Sequence, residues 1–135
     1  MATAEEIRTQ IDEGREALRG AIEAADVGSW EQGTSGEGWS ARQAAEHVIG
    51  WELSFAGRVA DAMMGKAPES PELALSSPQE ALAALEEAVA ATNKVIRYVE
   101  DRDLPKKAGE TSSIQATLEL MATHAAEHAS QISGL

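Results

Sequence analysis

Apolar residues recur every three to four positions in four stretches of the 135-residue chain, and none of the chain alternates with the period of a strand. The first stretch predicts a helix from Ala4 to Ala25, with Ile7, Ile11, Leu18, Ile22 and Ala25 on one stripe. Thr3 and Glu6 form a capping box at its start. The second runs from Ala41 to Met64 behind a Ser40/Gln43 box, its stripe being Ala44, Val48, Trp51, Phe55, Val59 and Ala62. The third opens at Ser77-Pro78, with serine as cap, proline in the first turn and Glu80 completing the box. Its stripe is Leu82, Leu85, Val89, Ile96 and Val99. The fourth starts near Ser112, with Gln115 three residues on, and buries Ile114, Leu118, Met121, Ala125, His128 and Ile132.

The connectors "VGSWEQGTSGEG", "GKAPESPELALSS" and "DRDLPKKAGE" are rich in breakers, and none has the composition of a domain linker. The expectation is an all-α chain, residues 1–135 forming a single four-helix bundle.

Composition narrows the partners. Hydrophobic residues make up 43% and aromatic ones 4%, so the core is aliphatic and alanine-rich. A net charge of −12 repels phosphate backbones and anionic membranes, and on that ground nucleic acid and membrane are excluded as partners. The absence of cysteine removes disulfides, thiolate ligands and a thiol nucleophile. The N-terminal stretch is charged throughout and lacks the apolar core of a signal peptide, and no run reaches the ~20 apolar residues of a membrane span. The reading is a cytoplasmic protein.

Against this background the three histidines stand out. His124 and His128 lie four apart in "MATHAAEHASQI", an otherwise core-like helix. Side chains at that spacing have Cβ atoms ~5–6 Å apart, so both rings can reach one ion. His47 lies among Ala44, Val48 and Trp51 on helix 2. It follows the Ser40 cap by seven residues, as His128 precedes Leu135 by seven. The three rings are level only if helices 2 and 4 run antiparallel. That requires an up-down-down-up bundle with a long crossover between helices 2 and 3, and the connector from Gly65 to Ser77 extends to roughly 40 Å, enough to provide it. Three separately hydrogen-bonded histidines remain the alternative. A shared divalent ion would satisfy all three buried rings at once.

Two stretches, "GWSARQAAEHVIGWE" (38–52) and "LELMATHAAEHASQI" (118–132), resemble the DinB-like superfamily of four-helix bundles. That superfamily includes mycothiol- and bacillithiol-dependent S-transferases and related maleylpyruvate isomerases. The first stretch is similar to its tryptophan-serine entry to helix 2, and the second to its HxxxH followed by glutamine. The resemblance implies an up-down-down-up bundle and a divalent metal, commonly nickel or zinc, on His47, His124 and His128. The chain departs from it at Ala129-Ser130, where a bulky or basic residue is common in the family.

Three neutral imidazoles leave an ion its charge and an open coordination position, the arrangement of a catalytic zinc-type site. The leading expectation is therefore a metal-dependent enzyme, an S-transferase using an external low-molecular-weight thiol or a hydrolase acting on a small molecule. The alternative is a non-catalytic, stress-related bundle that binds metal or a small molecule. Glu52 and Glu127 are the candidate catalytic carboxylates, with Glu46 a further nearby one. Trp51 and Gln131 are candidates for contacting cofactor, Trp51 as a pocket wall and Gln131 as a hydrogen-bond partner of His128. Trp30 and Trp39 flank the first connector, where the alternatives are lining the mouth of the site or acting as hydrophobic staples, and Trp39, directly before the cap, reads as a staple. Arg58 reads as too distant to act at the site, and "PKK" at 105–107 as too short for a binding patch. A homodimer is expected by analogy alone.

Overall fold

The computed structural model describes residues 2–32 and 38–134, so the middle of the first connector lies outside the described residues. Among the described residues there are four α-helices: α1 (Ala4–Ala24), α2 (Ala41–Ala62), α3 (Pro78–Ile96) and α4 (Ile114–Ser133). Among the described residues none is long and apolar enough to cross a membrane.

The caps follow the sequence closely. Ser40 Oγ accepts from Gln43 N at 3.1 Å while Gln43 Oε1 accepts from Ser40 N at 2.9 Å, a complete reciprocal box. At α1 and α3 the box is half made. Glu6 Oε1 takes the Thr3 hydroxyl, and Glu80 Oε1 takes Ser76 N, leaving only the forward bonds to Thr3 and Ser77. The α4 cap is Ser113, one residue later than Ser112, because Ser113 Oγ accepts from Ala116 N. Helix α2 ends two residues before Met64. The N–H of Gly65 turns back to Ala60 O and that of Met64 to Asp61 O, with Met64 at φ 59°.

Two core clusters reveal the helix directions. One gathers the end of α1 (Leu18, Ile22), the starts of α2 (Ala44, Val48) and α3 (Ala81, Leu85), and the end of α4 (Ala129, Ile132). The other gathers Ile7 and Ile11 of α1, Phe55 and Val59 of α2, Ile96 of α3, and Ile114 and Leu118 of α4. The bundle is therefore up-down-down-up, with α2 antiparallel to α4 and parallel to α3. The crossover returns the chain along the bundle from Met63 to Ser77. It is pinned late, where buried Leu75 receives the Trp30 indole N–H on its carbonyl at 2.7 Å and gives its own N–H to Glu46 Oε2 at 2.8 Å. Trp30 thus serves as a buried strut. Helices α1 and α4 pack closely at Gly14, where an added Cβ would stand 2.8 Å from Ala122 O.

A buried arginine interrupts the apolar stripe of α1. Arg15, 3% exposed, spans three helices. Its guanidinium bonds Glu52 Oε1 at 2.9 Å, Asn93 Oδ1 at 2.8 Å and Thr92 Oγ1 at 2.6 Å. Thr92 Oγ1 also lies 3.3 Å from Glu52 Oε2. The position was readable, since residue 15 falls one turn after Ile11 and three residues before Leu18, inside the buried stripe.

Candidate metal centre

Because α2 and α4 are antiparallel, His47 meets His124 and His128 at one level. His124 Nε2 lies 3.2 Å from His47 Nε2 and 3.2 Å from His128 Nε2. One nitrogen from each ring lies within 4.8 Å of the others, a group that could hold a metal ion, and each residue is partly buried.

The chemistry of these nitrogens fits an ion better than hydrogen bonds among themselves. An imidazole nitrogen has a single in-plane direction, which carries either a proton or a lone pair. His128 Nδ1 lies 2.7 Å from Gln131 Oε1, which only accepts, so Nδ1 carries the proton and Nε2 of the neutral ring carries the lone pair. His124 Nε2 then faces two nitrogens and can donate to one of them. Around an ion with bonds of 2.0–2.1 Å, ligand nitrogens stand about 2.9 Å apart at right angles and about 3.4 Å apart at tetrahedral angles. The observed 3.2 Å edges fall between these limits.

Electrostatics favour the ligating, neutral form. Burial, and then the neighbouring His128 and His47 rings, push His124 down to about 4. Burial, and then His128, lower His47 as well.

Aromatic side chains frame the cluster. Trp39 stacks on His128 with ring centroids 6.0 Å apart and planes 9° apart, and meets His47 edge-on at 4.9 Å. It packs on the rings themselves, a role the staple reading did not assign it. Phe55 meets His124 edge-on at 5.8 Å. Trp51 stands edge-on to His47 at 6.1 Å and, with His47, Gly50 and Ser54, lines an open cavity of about 250 Å³. The Arg58 guanidinium sits 5.6 Å from both the Trp51 and Phe55 ring centres, so it reaches this rim.

The acidic candidates are engaged elsewhere or exposed, although Glu52 lines a small void together with His124. Both oxygens of Glu52 face Arg15 and Thr92. Glu46 bonds Arg42 Nε at 3.0 Å and the Leu75 N–H, which makes it an anchor for the crossover. Glu127 is exposed, and among the described residues the metal-holding group contains histidines alone.

A family model described as the DinB superfamily matches residues 10–132. The chain belongs to the DinB superfamily. No curated protein matches the chain. Among solved structures it is similar to the colibactin self-resistance protein ClbS, determined in complex with a dsDNA. The TM-score is 0.76 at 15% identity, over 100% of this chain and 96% of that one. At this identity the likeness establishes the shared fold.

Two expectations are corrected. The exclusion of nucleic acid from a charge of −12 does not hold, because a protein of this fold was solved on duplex DNA. Net charge is a sum over the surface, whereas binding depends on the local patch. The reading as a metal-dependent transferase or hydrolase is also overturned. The finding that stands against it is the similar structure, which was determined as a self-resistance protein in complex with a dsDNA. The carboxylates proposed for catalysis do not join the histidines, since one is held in a buried ion pair and the other is on the surface.

Proposed function

We propose that this DinB-superfamily chain is a non-catalytic binding bundle of a stress- or resistance-related kind. It would hold a divalent transition metal, zinc or nickel, on His47, His124 and His128. The observation that carries this reading is that His124 Nε2 stands 3.2 Å from Nε2 of both His47 and His128, with Gln131 fixing the tautomer of one ring. A bound ion would supply a positive centre for an electron-pair donor on a small molecule. The chain's own residues would do the rest. Trp39 and Phe55 hold the rings in place, while Trp51 and Ser54 shape the opening.

Elemental analysis of protein purified without a metal-affinity tag, followed by cobalt titration of chelator-treated protein, tests this. One ion per chain is expected, with visible cobalt absorption that is lost in His124→Ala. Protein that carries no transition metal and takes up none would overturn the reading.

Nucleic acid is a second reading. It is favoured by the dsDNA-bound relative in fold and by Arg58 stacked on Trp51 and Phe55 beside the histidines. Fluorescence anisotropy with a labelled duplex across a salt series tests it. Binding that weakens with salt and is reduced by Arg58→Ala supports it, and no anisotropy change at low salt removes it.

A further inference from the structure

A second cavity lies away from the histidines, on the α2–α3 side of the bundle. It measures about 530 Å³, within the range of small-molecule sites, and is walled by Ile49 and Leu53 of α2, Ala88 and Ala91 of α3, and Leu73 of the crossover. Lys66 and Lys94 line it, and both also line an adjoining cavity of about 340 Å³ beside Tyr98. They therefore sit where the two spaces meet.

In this acidic chain neither lysine side chain has a hydrogen bond or ion pair among the described residues. Arg8, Arg15, Arg19, Arg42 and Lys106, by contrast, all bond carboxylates or carbonyls. Glu69 and Glu87 also line the larger cavity but not the adjoining one. Glu87 lies two turns from Lys94 on α3, about 10 Å along the axis. The two lysines thus stand where the spaces meet, beside an apolar wall, while Glu69 and Glu87 line only the larger space. Its roof offers an entrance. From Lys66 to Ala74 the crossover makes no hydrogen bond among the described residues, and its anchors stand at Gly65 and Leu75.

We propose that this cavity binds an amphipathic organic anion. Its apolar body would lie against Ile49, Leu53 and Ala91, and its carboxylate or sulfonate end between Lys66 and Lys94. The site is separate from the histidine cluster and does not depend on a metal there.

The test uses the full chain in EDTA with two fluorescent probes, 1-anilinonaphthalene-8-sulfonate and the uncharged N-phenyl-1-naphthylamine. Saturable binding of one sulfonate per chain is expected. Lys66→Gln with Lys94→Gln should weaken the sulfonate about five-fold or more while leaving the neutral probe unchanged, because only the charged contact is lost. Ala91→Trp, which fills the cavity, should weaken both probes in protein whose circular dichroism is unaltered. The proposal is overturned if the sulfonate does not bind, if the paired lysine change leaves its affinity intact, or if folded Ala91→Trp protein binds both probes as before.

Discussion

Gln131 Oε1 accepts the Nδ1 proton of His128 at 2.7 Å, and through that one bond a residue outside the cluster decides which nitrogen faces His124. The two residues are three apart on α4, so the helix itself sets their alignment. Without this acceptor His128 could place its proton on Nε2 and lose its lone pair toward the other rings.

Gln131→Leu is therefore expected to weaken metal binding by about 10- to 100-fold while the bundle stays folded. Competition with a chelating dye of known affinity measures it. Unchanged affinity would show that the ring orientation is set by Trp39 packing alone.

The histidine cluster was legible because its elements are periodic. An i, i+4 pair on one helix and a third histidine at matching height on another needed only the antiparallel pairing of α2 and α4, and the crossover length announced that pairing. Arg15 was legible by position, lying inside the α1 stripe, but its partners were not. Glu52, Thr92 and Asn93 come from two other helices, and a single helical period says nothing of who sits opposite. Glu46 shows the same division. Its i, i+4 partner Arg42 is readable, whereas the Leu75 N–H depends on the path of an aperiodic crossover. That path also creates the Lys66–Lys94 cavity, so the cavity left no trace in the pattern.

His124 supplies a pH dependence. Its pKa falls from 6.5 to about 4 in the folded chain, chiefly through burial, so between those values the unfolded chain binds the extra proton. Stability from this group is thus complete above pH 6.5 and is lost as the pH falls toward 4. In EDTA, urea midpoints should drop between pH 7 and pH 5. The drop should be smaller in His124→Phe, which removes the titrating ring and keeps an aromatic side chain against Phe55. Equal drops in the two proteins would dissociate the acid sensitivity from His124.

Removing one partner of the buried pair leaves the other charge stranded. Glu52→Ala should cost about 3–5 kcal/mol, because Arg15 would remain buried beside the neutral Thr92 and Asn93, with only the solvent-exposed Asp12 at 3.4 Å as a counter-charge. Thr92→Val deletes a hydroxyl that contacts both and should cost about 1 kcal/mol. Denaturant unfolding of the two variants ranks them. If Thr92→Val proved the costlier change, the charge pair would not be the centre of the network.

Met64 closes α2 in the left-handed region, at φ 59°, with its side chain 94% exposed. The N–H groups of Met64 and Gly65 return to Asp61 and Ala60, the hydrogen-bond pattern in which this position is usually glycine. A side chain here strains the backbone by roughly 1–2 kcal/mol and makes no buried contact in return. Met64→Gly gives back part of that strain to added freedom in the unfolded chain, so a net gain of about 1 kcal/mol is expected. Thermal and urea unfolding measure it, with metal uptake at the distant histidines unchanged. A loss of stability would mean that the Met64 side chain packs in solution, or that this turn is not left-handed.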